Sequence, residues 1–198
     1  MMIKICGITN REDALAAIEG GASALGFNFY TGSPRYVEPD RAAELAADLP
    51  GSVWKVGVFV NETPERIAEI ALRAGLDVAQ LHGDESTDGY PAGLRVWKAV
   101  RVDANFRPGD LSQCPAEAVL LDTPSQKMYG GTGRTFDWSL VAGSNKRIIL
   151  AGGLDASNVK QAIAAGHPWG VDVCSRIESQ PGRKDHVKMA QFLKEARS

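Results

Sequence analysis

The sequence has few cysteines. Its three, Cys6, Cys114 and Cys174, are widely spaced and form no Cys-x-x-Cys pair. The odd number and the spacing argue against a disulfide framework and a structural zinc site, and they favour a reducing, cytoplasmic compartment. We therefore expect no bound metal, and each cysteine is either a thiol with a function or a small buried residue.

Long hydrophobic runs are also missing. No apolar run approaches the roughly 18 residues that a membrane helix needs, so no membrane partner is expected. The first residues, MMIKICGIT, lack the apolar core and the cleavage pattern of a signal peptide. We interpret them instead as the first strand of the fold.

An excess of charge of one sign is absent as well. Lys and Arg number 22 against 24 Asp and Glu, which gives a formal net charge of −2. Such a surface does not attract nucleic acid, so no nucleic-acid partner is expected. No linker-like segment divides the 198 residues. We predict one domain that spans residues 1–198.

What the chain does contain is a regular alternation of eight short apolar runs with amphipathic helical patterns. Continuous apolar runs of this length are typical of parallel strands buried on both faces. The alternation predicts an α/β fold, a single closed (β/α)₈ TIM barrel, with a doubly wound open sheet as the weaker alternative. The segments TDGYPAG and VDANFRPGDLSQCP lack helical periodicity, so the helices after strands 4 and 5 are predicted to be trimmed. The predicted strands are residues 3–6, 24–29, 55–60, 78–82, 96–100, 118–122, 147–152 and 170–174.

The helical segment TPERIAEIALRAG has clear start and stop signals. Thr63 can cap its amino end, and Pro64 suits the first helical position. Gly75 can supply the left-handed residue that ends the helix. We expect glycines to end two other helices in the same way, at Gly20–Gly21 and at Gly166.

Two side chains at predicted strand ends carry chemistry, because the loops of a barrel converge where its strands end. Cys6 ends the first strand beside Gly7. A thiol there can act as a base if its pKa is lowered from about 8.5; otherwise it is an inert buried cysteine. Asp122 ends the run AVLLD, and a carboxylate after four apolar residues is costly to bury unless it is paired, protonated or functional. The alternative is an aspartate that caps a turn.

Two glycine-rich stretches follow later strands. Gly152 and Gly153 precede a predicted helix, and the bare N–H groups of such a turn can form a phosphate site with the helix dipole. The strand-eight exit should lie beside it, which is the common phosphate position of barrels. The long loop after strand six, TPSQKMYGGTGRTFDW, lacks GxxxxGK[ST], so we expect a mobile lid rather than a nucleotide loop.

A set of motifs runs through the chain in a specific order: KICGIT, SPRYV, GVFVN, QLHG, LLD, GGTGRTFDW, AGGL and GVDV followed by ESQPGRKD. From Lys4 to Asp185, the sequence resembles phosphoribosylanthranilate isomerase of tryptophan biosynthesis. The resemblance implies a (β/α)₈ barrel and a cofactor-free Amadori rearrangement. N-(5-phosphoribosyl)anthranilate would become 1-(2-carboxyphenylamino)-1-deoxyribulose 5-phosphate.

The resemblance also assigns roles to residues. The cysteine of KICGIT is the family's general base and the aspartate of LLD its general acid, which correspond to Cys6 and Asp122. The arginine of SPRY, Arg35, is expected to hold the anthranilate carboxylate. His82 and Asp172 are expected to support the site at the barrel mouth. The residues expected around the phosphate are Gly152, Gly153, Cys174, Ser175 and Arg176.

The strand-eight exit departs from the family pattern. The family commonly has DVSSG there, whereas this chain has DVCSR. Cys174 stands in place of a serine, and a thiol is a poorer hydrogen-bond donor than a hydroxyl. We hypothesise that Arg176, in place of the glycine, compensates by pairing directly with the phosphate. The alternative is that Arg176 points to solvent and backbone N–H groups suffice.

Other functions remain open at this point. A Schiff-base lysine aldolase on the same barrel would use Lys98, near the fifth strand exit, and needs that side chain to point inward. A non-catalytic or regulatory sugar-phosphate-binding barrel would explain the altered strand-eight exit, although retention of Cys6 and Asp122 argues against it. The expected partner is a small phosphosugar–anthranilate substrate, and the expected assembly is a monomer or a homodimer.

Overall fold

The eight predicted strands form a closed barrel in a computed structural model, which describes residues 1–103, 106–123 and 136–198. Within those residues the strands are all parallel and follow chain order around the barrel, and β8 pairs with β1. The predicted TIM-barrel fold is therefore confirmed. The strands are β1 (Met2–Cys6), β2 (Ala24–Asn28), β3 (Trp54–Phe59), β4 (Val78–Leu81), β5 (Arg95–Arg101), β6 (Ala118–Asp122), β7 (Arg147–Leu150) and β8 (Gly170–Val173).

Most predicted strand ends lie within one residue of the observed ones. The largest difference is in the seventh strand, which was expected to reach residue 152 but ends at Leu150. Gly152 and Gly153 have φ of 74° and 69°. Positive φ is incompatible with an extended strand, so these two residues already belong to the turn.

Helices cover the outside of the sheet unevenly. No helix lies between β4 and β5, where residues 82–94 are all described, and a 3₁₀ turn (Pro108–Gln113) follows β5. A second 3₁₀ turn (Trp138–Val141) precedes β7. In the part of the chain that the structure describes, no helix is long and apolar enough to cross a membrane. The helices are α1 (Arg11–Glu19), α2 (Pro39–Ala47), α3 (Pro64–Ala74), α4 (Val159–Gly166) and α5 (His186–Ala196).

The ends of α3 are as predicted. The Thr63 hydroxyl accepts a hydrogen bond from the Arg66 N–H at 3.3 Å, and Pro64 is the first helical residue. Gly75 follows the helix with φ of 60°. The apolar face packs on the sheet through Ile67 and Ile70.

The predicted glycine stops of the two other helices were partly wrong. Gly20 keeps a right-handed φ of −69°, and it is Gly21 that turns left-handed with φ of 95°. Gly166 is the last residue of α4, and the left-handed position falls on His167 with φ of 44°. A Cβ on Gly166 would lie 3.0 Å from the carbonyl oxygen of Trp138, so this glycine serves close packing rather than helix termination.

A small antiparallel hairpin extends the barrel after β8. A 3₁₀ turn (Ser175–Ile177) leads into β9 (Glu178–Gln180), which pairs with β10 (Arg183–Lys184). The hairpin folds back on the start of the chain, where the Asp13 carboxylate accepts from the Lys184 N–H at 2.9 Å. The first and last segments of the chain are thereby joined beside β1.

Two apolar cores hold the barrel together. One lies between the sheet and the helices, and the other fills the barrel interior. Trp54 at the start of β3, Trp97 in the first half of β5 and Trp169 just before β8 pack together, with ring centroids 5.6–5.8 Å apart. These indoles close the bottom of the barrel, so the open mouth lies at the carboxyl ends of the strands.

The loop predicted to be a lid lies almost wholly at residues 124–135, outside the described residues. It stays a prediction.

Candidate active site

A cavity of about 490 Å³ opens at the carboxyl ends of the strands. All ten residues predicted for the site line it, although they come from five different strand exits and from the loop after β2. Those residues are Cys6, Arg35, His82, Asp122, Gly152, Gly153, Asp172, Cys174, Ser175 and Arg176.

Two layers of inward side chains link β1 to β8 beneath this mouth. Lys4 is opposite Asp172 in the register of the two strands, and its Nζ donates to Asp172 Oδ1 at 2.8 Å. Lys4 is completely buried. One pleat higher, Cys6 and Cys174 directly follow Ile5 and Val173, the last pair of the two strands, and Cys174 begins the turn after β8. Both thiols therefore lie at the level above a buried ion pair.

The Cys6 thiol has an environment that favours its thiolate form. A hydrogen bond from Cys174 and the positive charges of Lys4 and Lys184 lower the pKa of Cys6 well below its usual range, although burial opposes them. The pKa of Cys174 is raised, first by its hydrogen bond to Cys6 and then by burial. Cys174 therefore stays protonated, and Cys6 is the member of the pair that ionises. This is the protonation pattern that a catalytic base requires.

Asp172 responds to the same charges. Burial raises its pKa to about 6, with the Cys6 thiolate adding to the rise and Lys4 opposing it. Its carboxylate is thus ionised at neutral pH and gains a proton only in mildly acidic solution. The Lys4–Asp172 pair is held together where neither charge has much contact with water.

A second ionic network approaches Cys174 from the hairpin. Lys184 is buried, and its Nζ lies 3.1 Å from Glu178 Oε1 and 4.0 Å from Cys174 Sγ. Arg35 binds the same carboxylate through Nε at 2.9 Å and Nη2 at 2.7 Å. Nη1 takes part in neither bond, and Arg35 lines the cavity.

The charges around Cys6 balance only when it is ionised. The cluster contains three cations and two carboxylates, and the thiolate supplies the third negative charge. An uncompensated charge in a buried site is costly, so the cluster as a whole favours the ionised thiol. Its members, called here the Cys6 cluster, are Lys4, Cys6, Arg35, Asp172, Glu178 and Lys184.

Asp122 faces the cavity from β6, with β7 and β8 between it and Cys6 on that side of the barrel. Its Oδ2 lies 3.5 Å from Nε2 of His82, and the other ring nitrogen of His82 lies 3.3 Å from the Gln80 amide nitrogen. In the tautomer that carries its proton on Nε2, the ring presents an N–H group on the side of Asp122. His82 thus orients the carboxyl group.

Gly152 packs tightly against this acid. A Cβ at Gly152 would lie 2.6 Å from Asp122 Oδ1 and 2.5 Å from the Thr123 nitrogen, and its φ is 74°. Both facts exclude a side chain here. The sequence predicted Gly152 for the phosphate turn, and the structure gives it a further task, which is to leave room for Asp122.

The loops after β7 and β8 are joined by an ion pair. Arg176 Nη2 lies 2.8 Å from Asp155 Oδ2, and about half of the Arg176 side chain is exposed at the cavity rim. From the sequence, Arg176 was expected either to pair with the phosphate or to point to solvent. In the structure it pairs instead with a carboxylate of the protein. Helix α4 also begins only at Val159, so its N-terminus does not directly follow Gly153.

Lys98 does not reach the cavity. It lies between Trp97, which is part of the interior core, and Ala99, which packs against that core, so it points out of the barrel. Its Nζ donates to the carbonyl oxygens of Gly83 and Glu85 at 2.7 and 3.1 Å. A Schiff-base aldolase built on Lys98 is therefore wrong for this structure.

Sequence reasoning missed Lys4, Lys184 and Glu178. Lys4 had a usable signal, since residues two apart on a strand face the same side and Lys4 precedes Cys6 by two. Lys184 and Glu178 had none, because only the folded hairpin brings them to β1. Two further cavity residues, Asn28 and Arg101, stand at predicted strand exits and were not selected.

Comparison with known proteins gives a consistent result. A family model described as N-(5'phosphoribosyl)anthranilate (PRA) isomerase matches residues 3–195. The N-(5'-phosphoribosyl)anthranilate isomerase of Solibacter usitatus (strain Ellin6076) is 57% identical over 198 residues, which cover 100% of this chain and 98% of that protein.

Solved structures agree with the sequence relatives. Phosphoribosyl anthranilate isomerase from Thermotoga maritima has a TM-score of 0.87 and 41% identity, with 100% of this chain and 98% of that chain covered. A complex of phosphoribosyl anthranilate isomerase with reduced 1-(o-carboxyphenylamino)-1-deoxyribulose 5-phosphate has a TM-score of 0.83 and 39% identity, with the same coverage.

Proposed function

The chain belongs to the N-(5'-phosphoribosyl)anthranilate isomerase family, and we propose that it carries out this isomerisation with Cys6 as general base and Asp122 as general acid. The observation that carries the proposal is that one thiol, whose pKa is lowered by its surroundings, and one buried carboxyl group face the same 490 Å³ cavity from different strands. The reaction is a step of tryptophan biosynthesis and needs no cofactor. We expect it to take place in the cytoplasm.

Asp122 acts first. Its proton goes to the ribose ring oxygen as the C1′–O bond breaks, and the anilino nitrogen lone pair forms a Schiff base with C1′. His82, 3.5 Å from Oδ2, keeps the carboxyl group in place while the ring opens.

Cys6 acts second. The Schiff base acidifies the C2′ hydrogen, and the Cys6 thiolate removes that proton to give an enolamine. The enolamine tautomerises to the ketone, which completes the rearrangement. Cys6 is then a neutral thiol and Asp122 a carboxylate. Cys6 loses a proton to solvent and Asp122 takes one up from solvent, which restores both groups for the next turnover.

The two ends of the substrate are anchored on separate walls. Arg35 Nη1 receives the anthranilate carboxylate, while Nε and Nη2 stay on Glu178. The phosphate lies between the loops after β7 and β8, near Gly153, Ser175 and Arg176, all of which line the cavity. Fixing both ends holds C2′ within reach of Cys6.

Rescue of a tryptophan auxotroph that lacks this isomerase tests the proposal. The wild-type gene is expected to restore growth without tryptophan, whereas Cys6→Ser and Asp122→Asn are not, at equal soluble protein. Growth with either variant at the wild-type rate would remove that residue from the mechanism. Failure of the wild type itself would refute the activity.

Lys4 is expected to set the pH dependence of the reaction. In Lys4→Met the pKa of Cys6 rises, because a buried opposite charge lowers a pKa by about 1–3 units. Asp172 then takes up a proton, which offsets part of that rise. The acidic limb of kcat/KM should move to higher pH by roughly one unit. Lys160→Met, at an exposed lysine on α4, should not move it.

Arg176 and Asp155 are expected to change substrate affinity in opposite directions. Arg176→Gln removes a cation from the phosphate region and should raise KM about threefold to tenfold, since a half-exposed charged hydrogen bond contributes about 1 kcal/mol. Asp155→Asn frees Arg176 and removes an anion, so KM should fall. Dissociation constants for the reduced product analogue check both. An unchanged constant in Arg176→Gln would exclude a phosphate contact.

A further inference from the structure

We propose that Cys6 and Cys174 form a reversible dithiol site, which a small disulfide compound converts into an intrachain disulfide. Closure of this bond removes the Cys6 thiolate and stops the isomerase, and a reducing thiol restores it. The loss of activity rests on the proposed role of Cys6, whereas formation of the bond does not.

The position of the two residues carries the proposal. They directly follow the paired residues Ile5 and Val173 on adjacent parallel strands, so they lie at the same level of the barrel mouth. Adjacent strands lie about 4.8 Å apart, and disulfides join Cα atoms about 4.4–6.8 Å apart. The side chains below them, Lys4 and Asp172, already meet at 2.8 Å. A bond at this level needs no movement of one strand past the other.

The two thiols face the same cavity. Cys6 and Cys174 are both free cysteines that line it, and each shifts the pKa of the other, as close neighbours do. Cys174 Sγ lies 3.0 Å from where a Cβ on Gly7 would be, so a side chain at the residue after Cys6 would crowd the second sulfur. A reagent that enters the substrate cavity therefore meets both sulfurs together.

The first chemical step is attack by Cys6. Its thiolate attacks one sulfur of the disulfide RSSR, the S–S bond breaks, and one RS⁻ leaves and takes up a proton. Cys6 becomes a mixed disulfide and loses its negative charge. That charge was holding the proton on Cys174, so Cys174 now ionises more readily beside Lys184, whose Nζ is 4.0 Å away.

The second step closes the bond. The Cys174 thiolate attacks Cys6 Sγ and expels the second RS⁻, which takes up the proton that Cys174 lost. In total, two protein thiols are oxidised and one RSSR is reduced to two RSH. No other reagent is needed.

The test uses the intact enzyme with bis(2-hydroxyethyl) disulfide, followed by alkylation and tryptic digestion without reduction. We expect residues 5–11 and 161–176 to appear as one disulfide-linked peptide pair. Activity should fall by at least about tenfold, as loss of a general base predicts, and the rate of this loss should equal the rate at which the linked pair forms. Dithiothreitol should restore the activity. Cys114→Ser should behave like the wild type, because Cys114 lies away from the cavity.

Cys174→Ser separates the formation of the disulfide from the loss of activity. The activity of each treated sample is compared with that of the same protein before treatment. Its Cys6 should stop at the mixed disulfide, which mass spectrometry detects, and no linked pair should form. A wild type that also stops at the mixed disulfide, or stays unmodified, would refute the dithiol site. A linked pair in fully active wild type would leave the site standing and would refute Cys6 as the base.

Discussion

Cys6→Ser is expected to lower kcat by about 10²- to 10⁴-fold, the range that a positioned general base contributes. Serine preserves the size of the side chain, but its hydroxyl does not ionise near neutral pH, so C2′ loses its proton acceptor. The surrounding charges make this loss larger, because they stabilise an anion at position 6 that serine cannot supply. Steady-state kinetics with freshly generated substrate measure the effect.

The matched control for this substitution is Cys114→Ser, which makes the same atomic change outside the cavity and should keep wild-type kcat. KM should change little in Cys6→Ser, because the anchors of the substrate are Arg35 and the β7 and β8 loops. A kcat above one tenth of the wild-type value would show that another group removes the C2′ proton.

Asp122→Asn should reduce kcat by a similar factor, about 10²- to 10⁴-fold. The amide keeps the shape of the side chain and its contact with His82, yet it cannot give a proton to the ring oxygen. Ring opening would then become the slow step. The reduced product analogue resembles the opened sugar, so its dissociation constant should stay within about threefold of the wild-type value, because one neutral hydrogen bond is changed.

Asp88→Asn provides the control, since Asp88 is exposed in the loop after β4 and outside the cavity. It should leave kcat and KM unchanged. If Asp122→Asn loses affinity for the analogue by the same factor as it loses kcat, then Asp122 binds the sugar and the acid is a different group.

The sequence was sufficient to predict the barrel because its evidence is local. Each strand is a short apolar run, and each run in a parallel sheet is buried on both faces, as Leu120 and Leu121 are. Cys6 and Asp122 could be found because polar residues that end such runs are few. Chain order then placed both at the same end of the barrel.

The partners of these residues could not be predicted in the same way. Arg35 was expected to hold the anthranilate carboxylate, and the sequence did not show that Glu178 also binds two of its nitrogens. Arg176 was expected at the phosphate, and Asp155 pairs with it. Such pairs depend on how close loops that are distant in sequence come in the folded protein. Composition and periodicity give no information on that spatial distance.

The return of the chain to its first strand has a consequence for biosynthesis. Cys6 is translated well before Asp172, Cys174, Glu178 and Lys184, which follow it far along the chain. Until those residues are made, the nascent chain carries an ordinary cysteine without the charges that favour its ionisation. The thiol gains its chemistry only when β8 and the hairpin close the barrel beside β1, so an incompletely folded chain does not expose a reactive sulfur.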